Sequence, residues 1–185
     1  MGSIEVIVGP MFAGKTTELI RRLTRAEIAG QKIKVFKPDN DDRYKKEKIV
    51  THNQVELDSS QLPQDNTERL NSKNLKTYDV IGIDEGNFFL CDNFVENIQK
   101  LANDGKKIII AGLDTDYKRN PFGVMHHLMA IAERVDKLTA ICEYCGDTAS
   151  MTKLKRNNID VDENNIVVGG KKIWEPVCRV CYNNP

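Results

Sequence analysis

Residues 4–20 read IEVIVGPMFAGKTTELI, and this stretch decides the fold. The apolar run at residues 4–8 predicts a buried β-strand, and the apolar positions that recur after Thr16 predict an amphipathic helix. Between them, residues 9–16 match the phosphate-loop pattern of two glycines and a Lys-Thr pair at fixed spacing. A strand, this loop and a helix in that order predict an α/β fold that holds a nucleoside triphosphate.

The residue types of this loop suit phosphate binding. Its backbone N–H groups and the helix N-terminus attract an anion, and glycine lets the backbone pass close to it. We expect Lys15 to reach the β- and γ-phosphates and the Thr16 hydroxyl to ligate Mg²⁺. The alternative is a glycine turn without chemical function, against which both flanking elements argue. The predicted phosphate-binding residues of this stretch are Gly9, Pro10, Met11, Phe12, Ala13, Gly14, Lys15, Thr16 and Thr17.

Composition narrows the possible partners. The chain has 185 residues, enough for one domain with a small appendix. Its 27 basic and 27 acidic residues balance, which argues against a nucleic-acid coat protein. No apolar run reaches the roughly 20 residues that span a bilayer, and the first residues lack the features of a signal peptide. We therefore expect neither a nucleic-acid nor a membrane partner, and a cytoplasmic, reducing location.

Short β-branched runs alternate with helix-like stretches along most of the chain. This alternation predicts a mostly parallel sheet flanked by helices. The pattern changes after residue 140, so we predict a P-loop α/β domain at residues 1–140 and a small module at residues 141–185. The predicted strands are residues 4–8, 33–36, 80–83, 107–111 and 137–141, and the predicted helices are residues 16–29, 94–103 and 124–134.

An acidic pair follows the third predicted strand, where residues 79–85 read DVIGIDE. The carboxyl ends of strands in such sheets face the ligand, so Asp84 is the expected magnesium residue. Glu85 has two possible roles: it could activate a water, making an ATPase, or take a proton from a substrate hydroxyl, making a kinase. A solvated carboxylate pair without a chemical role is the third interpretation.

Four of the five cysteines form two C-x-x-C pairs, separated by 32 residues. Two such pairs can offer four thiolates to a structural zinc ion, although the gap is longer than in the usual zinc ribbon. Redox pairs or disulfides are the alternatives, and disulfides are rare inside cells. The predicted zinc ligands are Cys142, Cys145, Cys178 and Cys181; Cys91 and His52 receive no role.

These and further segments together resemble one enzyme family. The phosphate loop followed by ELIRR at residues 18–22, and IGIDEGNFF at residues 81–89, are similar to the type II thymidine kinases of animal cytosol, many bacteria and poxviruses. Further similar segments are DDRY at 41–44, TH at 51–52, LD at 113–114, Arg119 with PFG at 121–123, KLTAIC at 137–142 and CRVCY at 178–182. The similarity runs in order from residue 7 to residue 182.

The resemblance implies a RecA-like fold and transfer of the γ-phosphoryl group of ATP to the 5′-hydroxyl of thymidine. Glu85 matches the general base of the family, which favours the kinase role. Asp41 matches a residue that helps to hold Mg²⁺, and Arg43 matches one near the transferred phosphate. The zinc would be structural and would pin a lasso loop, residues 152–174, over the nucleoside. The positions that match the thymine pocket are Met11, Phe88, Leu113, Tyr117, Phe122, Val167, Gly169 and Trp174.

The chain departs from the family pattern near the nucleoside. Asn87 replaces the usual Gln, Thr115-Asp116 replaces Gly-Thr, and Trp174 replaces Tyr. Indole cannot accept a hydrogen bond, so a contact made there by a hydroxyl is lost and deoxyuridine becomes a further expected substrate. The family also implies a homotetramer and feedback inhibition by dTTP. Two other functions remain as hypotheses: a P-loop ATPase motor with a zinc module, and a non-catalytic zinc-binding interaction module.

Overall fold

The computed structural model describes residues 2–39, 48–50, 56–91, 93–155 and 173–184. Its helices are α1 (Lys15–Ile28), α2 (Asn93–Asn103), α3 (Met125–Ile131) and α4 (Arg179–Asn183), with one turn of 3-10 helix at Gly86–Phe88. Its strands are β1 (Ser3–Val8), β2 (Ile33–Pro38), β3 (Lys48–Val50), β4 (Glu56–Asp58), β5 (Ser60–Leu62), β6 (Val80–Ile83), β7 (Lys107–Gly112), β8 (Arg134–Lys137), β9 (Ala140–Ile141), β10 (Thr148–Ala149), β11 (Met151–Leu154) and β12 (Trp174–Val177).

A six-stranded sheet with the order β5-β2-β6-β7-β1-β8 forms the centre of the fold. Each neighbouring pair in this sheet is parallel. The expected parallel α/β sheet is therefore confirmed, and four of the five predicted strands lie where the apolar runs placed them.

The strand predicted at residues 137–141 is wrong. Residues 134–137 form β8 instead, and residues 140–141 form the separate short strand β9. The predicted third helix, residues 124–134, is correspondingly too long and ends at Ile131. Three of the four residues of β8 are charged, so its sequence lacks the apolar run of a central strand. Its position comes from parallel pairing with the β1 backbone, in which Val6 lies opposite Val135.

Two apolar layers bury the faces of the sheet. On one face, Leu19 and Leu23 of α1 pack against strand residues such as Ile109. On the other, Phe94 of α2 and Leu128 of α3 pack against Ile110 and its neighbours. Both faces are therefore covered by helices, as a parallel sheet requires.

A small module follows the sheet. The antiparallel pairs β9–β10 and β11–β12 and helix α4 enclose a separate apolar cluster that includes Ala149, Met151 and Val177. Ala13 of the phosphate loop packs against this cluster. The described ranges contain no helix that is long and apolar enough to cross a bilayer.

Arg22 ties helix α1 to two strands. Its guanidinium donates to Glu18 on the same helix at 2.8 Å, to Glu5 on β1 at 2.7 Å and to Asp136 on β8 at 2.7 Å. The Arg22 side chain is only 9 % exposed. A cation shared by three carboxylates in a poorly solvated position fixes the helix against the sheet.

The carboxylates around Arg22 have lowered pKa values. A hydrogen bond from Arg21, opposed by burial and assisted by Arg22, lowers the pKa of Glu18 to about 2. Hydrogen bonds from Arg134 and then Arg22 lower the pKa of Asp136. Burial would raise the pKa of Glu5, but bonds from Lys107 and Arg22 lower it overall.

We predict that Arg22→Leu lowers the free energy of unfolding by about 2–4 kcal/mol, because it leaves clustered carboxylates with too few cations. Arg21→Leu is the matched control, since Arg21 is 57 % exposed and pairs with Glu18 alone among the described ion pairs. Its loss should cost much less, because solvent-exposed ion pairs contribute little to stability. Urea unfolding of both variants measures the difference, and equal losses would contradict the prediction.

We also predict that the loss of unfolding free energy in Arg22→Leu, relative to the native chain, depends on pH. Hydrogen bonds from Arg21 and then from Arg22 lower the pKa of Glu18 to about 2 from an ordinary value of 4.5, and Arg22→Leu removes the contribution of Arg22. A lowered carboxyl pKa stabilises the fold above the ordinary value, and this contribution disappears as the pH falls towards the folded value. The gap in unfolding free energy between the native chain and Arg22→Leu should therefore narrow from about pH 5 to about pH 2. A gap that widens over this range would show that the carboxylates around Arg22 are not its source.

Candidate active site

Three neighbouring strands end at one edge of the sheet. The phosphate loop follows β1, the acidic pair follows β6, and Leu113 follows β7, which lies between them. Parallel strands place their carboxyl ends together, and ligands of open α/β sheets bind at this edge. The predicted phosphate and magnesium residues of the described ranges therefore meet in space.

The phosphate loop has the backbone conformation that its glycines permit. Gly9 has a φ of 143° and Gly14 a φ of 82°, both in the region that favours glycine. A Cβ on Gly9 would lie 2.4 Å from the carbonyl oxygen of Leu138. The Lys15 side chain is buried, and its ammonium donates to the Pro10 carbonyl at 2.8 Å. The lysine side chain is thus folded back over its own loop.

The Thr16 hydroxyl meets the Asp84 carboxylate. It lies 3.0 Å from one carboxylate oxygen and 3.2 Å from the other. The backbone N–H of Glu85 also donates to Asp84 at 3.0 Å. These hard oxygen donors beside a phosphate loop fit the ligand preference of Mg²⁺.

Glu85 is held in an unusual backbone conformation. Its φ of 52° is left-handed, a conformation that costs a non-glycine residue on the order of 1 kcal/mol or more. The residue is buried and begins the helical turn Gly86–Phe88. Strain of this kind persists where the surrounding structure enforces it, often at functional sites. The turn directs the chain from the acidic pair to Phe88.

Two aromatic pairs lie among the residues that match the thymine pocket. Phe88 and Phe122 pack edge to face with centroids 5.7 Å apart. Tyr117 and Trp174 pack at 5.5 Å, which joins the loop at residues 113–123 to the start of β12. Leu113, which also matches this pocket, is buried, and its N–H donates to Asn87, the residue before Phe88. Asp41, Arg43, Val167 and Gly169 lie outside the described residues.

Asn87 and Thr152 have structural roles that residue patterns did not reveal. The fully buried Asn87 amide oxygen accepts from the Leu113 N–H at 2.9 Å and joins the helical turn to the end of β7. The buried Thr152 hydroxyl accepts from the Met11 N–H at 2.9 Å. Thr152 belongs to no motif and lies 141 residues from Met11. Its position at the start of the predicted lasso was therefore the one sequence feature that indicated a role near the site.

The four predicted zinc ligands form one cluster. The sulfurs of Cys142, Cys145, Cys178 and Cys181 all lie within 4.8 Å of one another. A tetrahedron with Zn–S bonds of about 2.3 Å has sulfurs about 3.8 Å apart. The observed distance from Cys145 Sγ to Cys178 Sγ is 3.7 Å, so the cluster fits zinc.

Electrostatics within the cluster also favour a metal. Burial opposes ionisation of Cys142, yet backbone N–H groups of Cys178, Cys145 and Tyr144 lower the pKa of its thiol to about 6. Neighbouring sulfurs, Cys178 first, raise the pKa of Cys181 to about 12. The Cys142 thiol therefore ionises readily and then opposes ionisation of Cys181, a repulsion that a divalent cation would remove.

Together, the parallel sheet, the phosphate loop and the acidic pair define a P-loop nucleotide-binding protein with a four-cysteine module. Residues 2–182 match the family model described as thymidine kinase. A thymidine kinase of Bacteroides thetaiotaomicron is 44 % identical over 181 residues, covering 98 % of this chain and 87 % of that protein. The chain therefore belongs to the thymidine kinase family.

The fold is also similar to a more distant solved structure. The flagellar accessory protein FlaH from Methanocaldococcus jannaschii superposes with a TM-score of 0.50 over 83 % of this chain and 76 % of its own. The two sequences are only 14 % identical, so this similarity concerns the fold alone.

We predict about one zinc ion per chain, because four thiolates complete a tetrahedral site. Cys142→Ser/Cys178→Ser removes two of these ligands and should abolish stoichiometric zinc. Cys91→Ser is the control, since Cys91 is the one cysteine outside the cluster. Metal analysis after gel filtration tests this, and zinc at the native level in the double variant would contradict the site.

Proposed function

We propose that the chain phosphorylates thymidine, transferring the γ-phosphoryl group of ATP to the 5′-hydroxyl to give dTMP for DNA precursor salvage. The observation that carries this proposal is the meeting of Thr16, Asp84 and Glu85 at one edge of the sheet. Family membership supplies the acceptor, because the geometry alone supports only a triphosphate site with an adjacent acid–base group.

Each described residue has a chemical part in the proposed reaction. Loop N–H groups and Lys15 bind the β- and γ-phosphates of ATP. Mg²⁺, when bound, neutralises phosphate charge, and Thr16 and Asp84 are the described residues that would hold it. Asp41 is proposed as a further magnesium residue and Arg43 as a phosphate contact, from the family resemblance.

Glu85 is proposed as the general base. Its carboxylate takes the proton of the 5′-hydroxyl while that oxygen forms a bond to the γ-phosphorus. The bond from the γ-phosphorus to the oxygen that bridges it to the β-phosphate breaks, and ADP leaves. Burial of Glu85 at the carboxyl edge, next to Asp84 and three residues before Phe88, supports this assignment.

The nucleoside is proposed to lie between apolar and aromatic walls. The two aromatic pairs provide flat surfaces that suit a pyrimidine, and they exclude water from the transfer step. Val167 and Gly169 are proposed to present backbone groups to the base edge, from the family resemblance. The proposed pocket residues are Met11, Phe88, Leu113, Tyr117, Phe122, Val167, Gly169 and Trp174.

Several broader features belong to the same proposal. We place the protein in the cytoplasm, because free thiols that bind metal need a reducing compartment. The module at residues 141–185 is treated as a zinc-binding lasso domain beside the P-loop domain at residues 1–140. The family suggests a homotetramer. It also suggests inhibition by dTTP, which carries both a triphosphate and a thymine and so can occupy both subsites.

The first test mixes purified protein with Mg-ATP and each nucleoside in turn. We expect phosphorylation of thymidine and weaker phosphorylation of deoxyuridine, because the pocket must discriminate a single methyl group. ATP hydrolysis that DNA stimulates without thymidine would instead favour a P-loop motor. A thymidine reaction that yields no monophosphate would overturn the proposal.

The second test is Glu85→Gln, which removes the base but preserves side-chain shape. We expect turnover to fall by about 10²–10⁴-fold while the dissociation constant for ATP stays within about twofold. Glu96→Gln is the matched control, because Glu96 is 68 % exposed on α2 and pairs only loosely with Lys100. Normal turnover in Glu85→Gln would remove Glu85 from the base role.

A further inference from the structure

Tyr182 lies where the four-cysteine module meets the nucleoside side of the site. It belongs to the short helix α4, one residue after Cys181. Its backbone N–H donates to the Cys178 carbonyl at 2.9 Å. Two of the four clustered thiols therefore share a single helical turn with Tyr182, and its position follows theirs.

The Tyr182 side chain reaches the loop at residues 113–123. Its hydroxyl donates to the main-chain carbonyl of Tyr117 at 2.8 Å, across 65 positions of sequence. The Arg119 guanidinium lies over the Tyr182 ring, 5.6 Å from its centroid. A cation over an aromatic face is attractive, so ring and hydroxyl hold the same loop.

Tyr117 is held from a second side by the same module. Its ring packs against Trp174, the first residue of β12, and β12 ends at Val177 beside Cys178. The contacts thus form a closed circuit from Cys178 through Tyr182 and Tyr117 to Trp174 and back along β12. A closed circuit of contacts that begins at the four-cysteine cluster resists displacement of any one member.

The loop has internal bonds that shape it locally. Thr115 and Pro121 form an isolated bridge, and the Asp116 carboxylate accepts from the Asn120 backbone N–H at 2.8 Å. These bonds close the loop on itself. They do not reach the C-terminal module, which contacts the loop through Tyr182 and Trp174.

We propose that Tyr182 is a positioning residue that couples the four-cysteine module to the nucleoside pocket by fixing the Tyr117 carbonyl. The assignment of this pocket to a nucleoside rests on the proposed function. The coupling itself rests on the contacts of Tyr182, Tyr117 and Trp174. Loss of the hydroxyl bond frees the Tyr117 ring from its place against Trp174 and weakens acceptor binding.

The test variant is Tyr182→Phe, which keeps the ring under Arg119 and removes the donor. We expect the KM for thymidine to rise about three- to tenfold, while kcat and the KM for ATP stay within about twofold. Tyr144→Phe is the matched control, because it removes a phenol hydroxyl of the same module that bonds to Glu175 on β12. The control should leave the KM for thymidine within about twofold of the native value.

Two readouts report the coupling without turnover. Trp174 is the single tryptophan of the chain, so intrinsic fluorescence reports its packing against Tyr117. We expect an altered emission spectrum in Tyr182→Phe, together with faster amide exchange in peptides covering residues 113–123. Zinc content and the urea midpoint should match those of Tyr144→Phe, which separates positioning from general destabilisation.

The outcomes distinguish the two proposals. If the native chain fails to phosphorylate thymidine, the proposed function fails, and fluorescence and exchange still decide the role of Tyr182. If the native chain is active, a Tyr182→Phe variant whose KM for thymidine, fluorescence emission and amide exchange match the native values would overturn the coupling. If Tyr182→Phe does not fold, Arg119→Gln removes the second contact and should change the same emission and exchange; no change in that variant also overturns it.

Discussion

The parallel pairing of β6, β7 and β1 is the constraint on which the site depends. Val8 lies opposite Gly112, and Ile83 lies opposite Ile110, so the three strands end at nearly the same level. The residues that follow must therefore meet at one edge, because parallel strands cannot send their carboxyl ends in opposite directions. This pairing brings the Thr16 hydroxyl to within 3.0 Å of Asp84, across 68 positions of sequence. If either β1 or β6 ran antiparallel to the other, the phosphate loop and the acidic pair would lie on opposite edges of the sheet.

The C-terminal module is part of this edge. Thr152 accepts from the Met11 N–H inside the phosphate loop, and Ala13 of that loop packs against the module's apolar cluster. On the other side Tyr182 bonds to Tyr117. The module therefore contacts the donor side and the proposed acceptor side together. Its clustered thiols help to place residues that no metal ion would touch, so a metal bound there would affect the geometry of the proposed reaction.

Sequence patterns predicted the features that are determined by residues close together in the chain. The strands β1 and β7 could be predicted from their apolar runs because they are buried on both faces. The phosphate loop, the acidic pair and the cysteine pairs could be recognised because each is a compact motif. β8 was missed because an edge strand carries charges, as Asp136 does, and owes its place to pairing with β1. Thr152 and Tyr182 contact residues 141 and 65 positions away, and no motif marks either side chain. Such contacts follow from the folded arrangement, which periodicity alone does not specify.

The distance from Thr16 to Asp84 also depends on how closely α1 approaches β6. Thr16 stands on the first turn of α1, and Asp84 follows directly after β6. Gly82 lies on β6 beneath that helix, and a Cβ there would come within 2.6 Å of Leu23 Cδ1. A larger residue would displace the leucine or the helix, because packed interiors have little spare volume. Arg22, next to Leu23, holds the same part of α1 to β1 and β8. Gly82 permits the close approach of α1 to β6, and Arg22 holds the helix there. Both therefore help to position the Thr16 hydroxyl, although they act about two helical turns away from it.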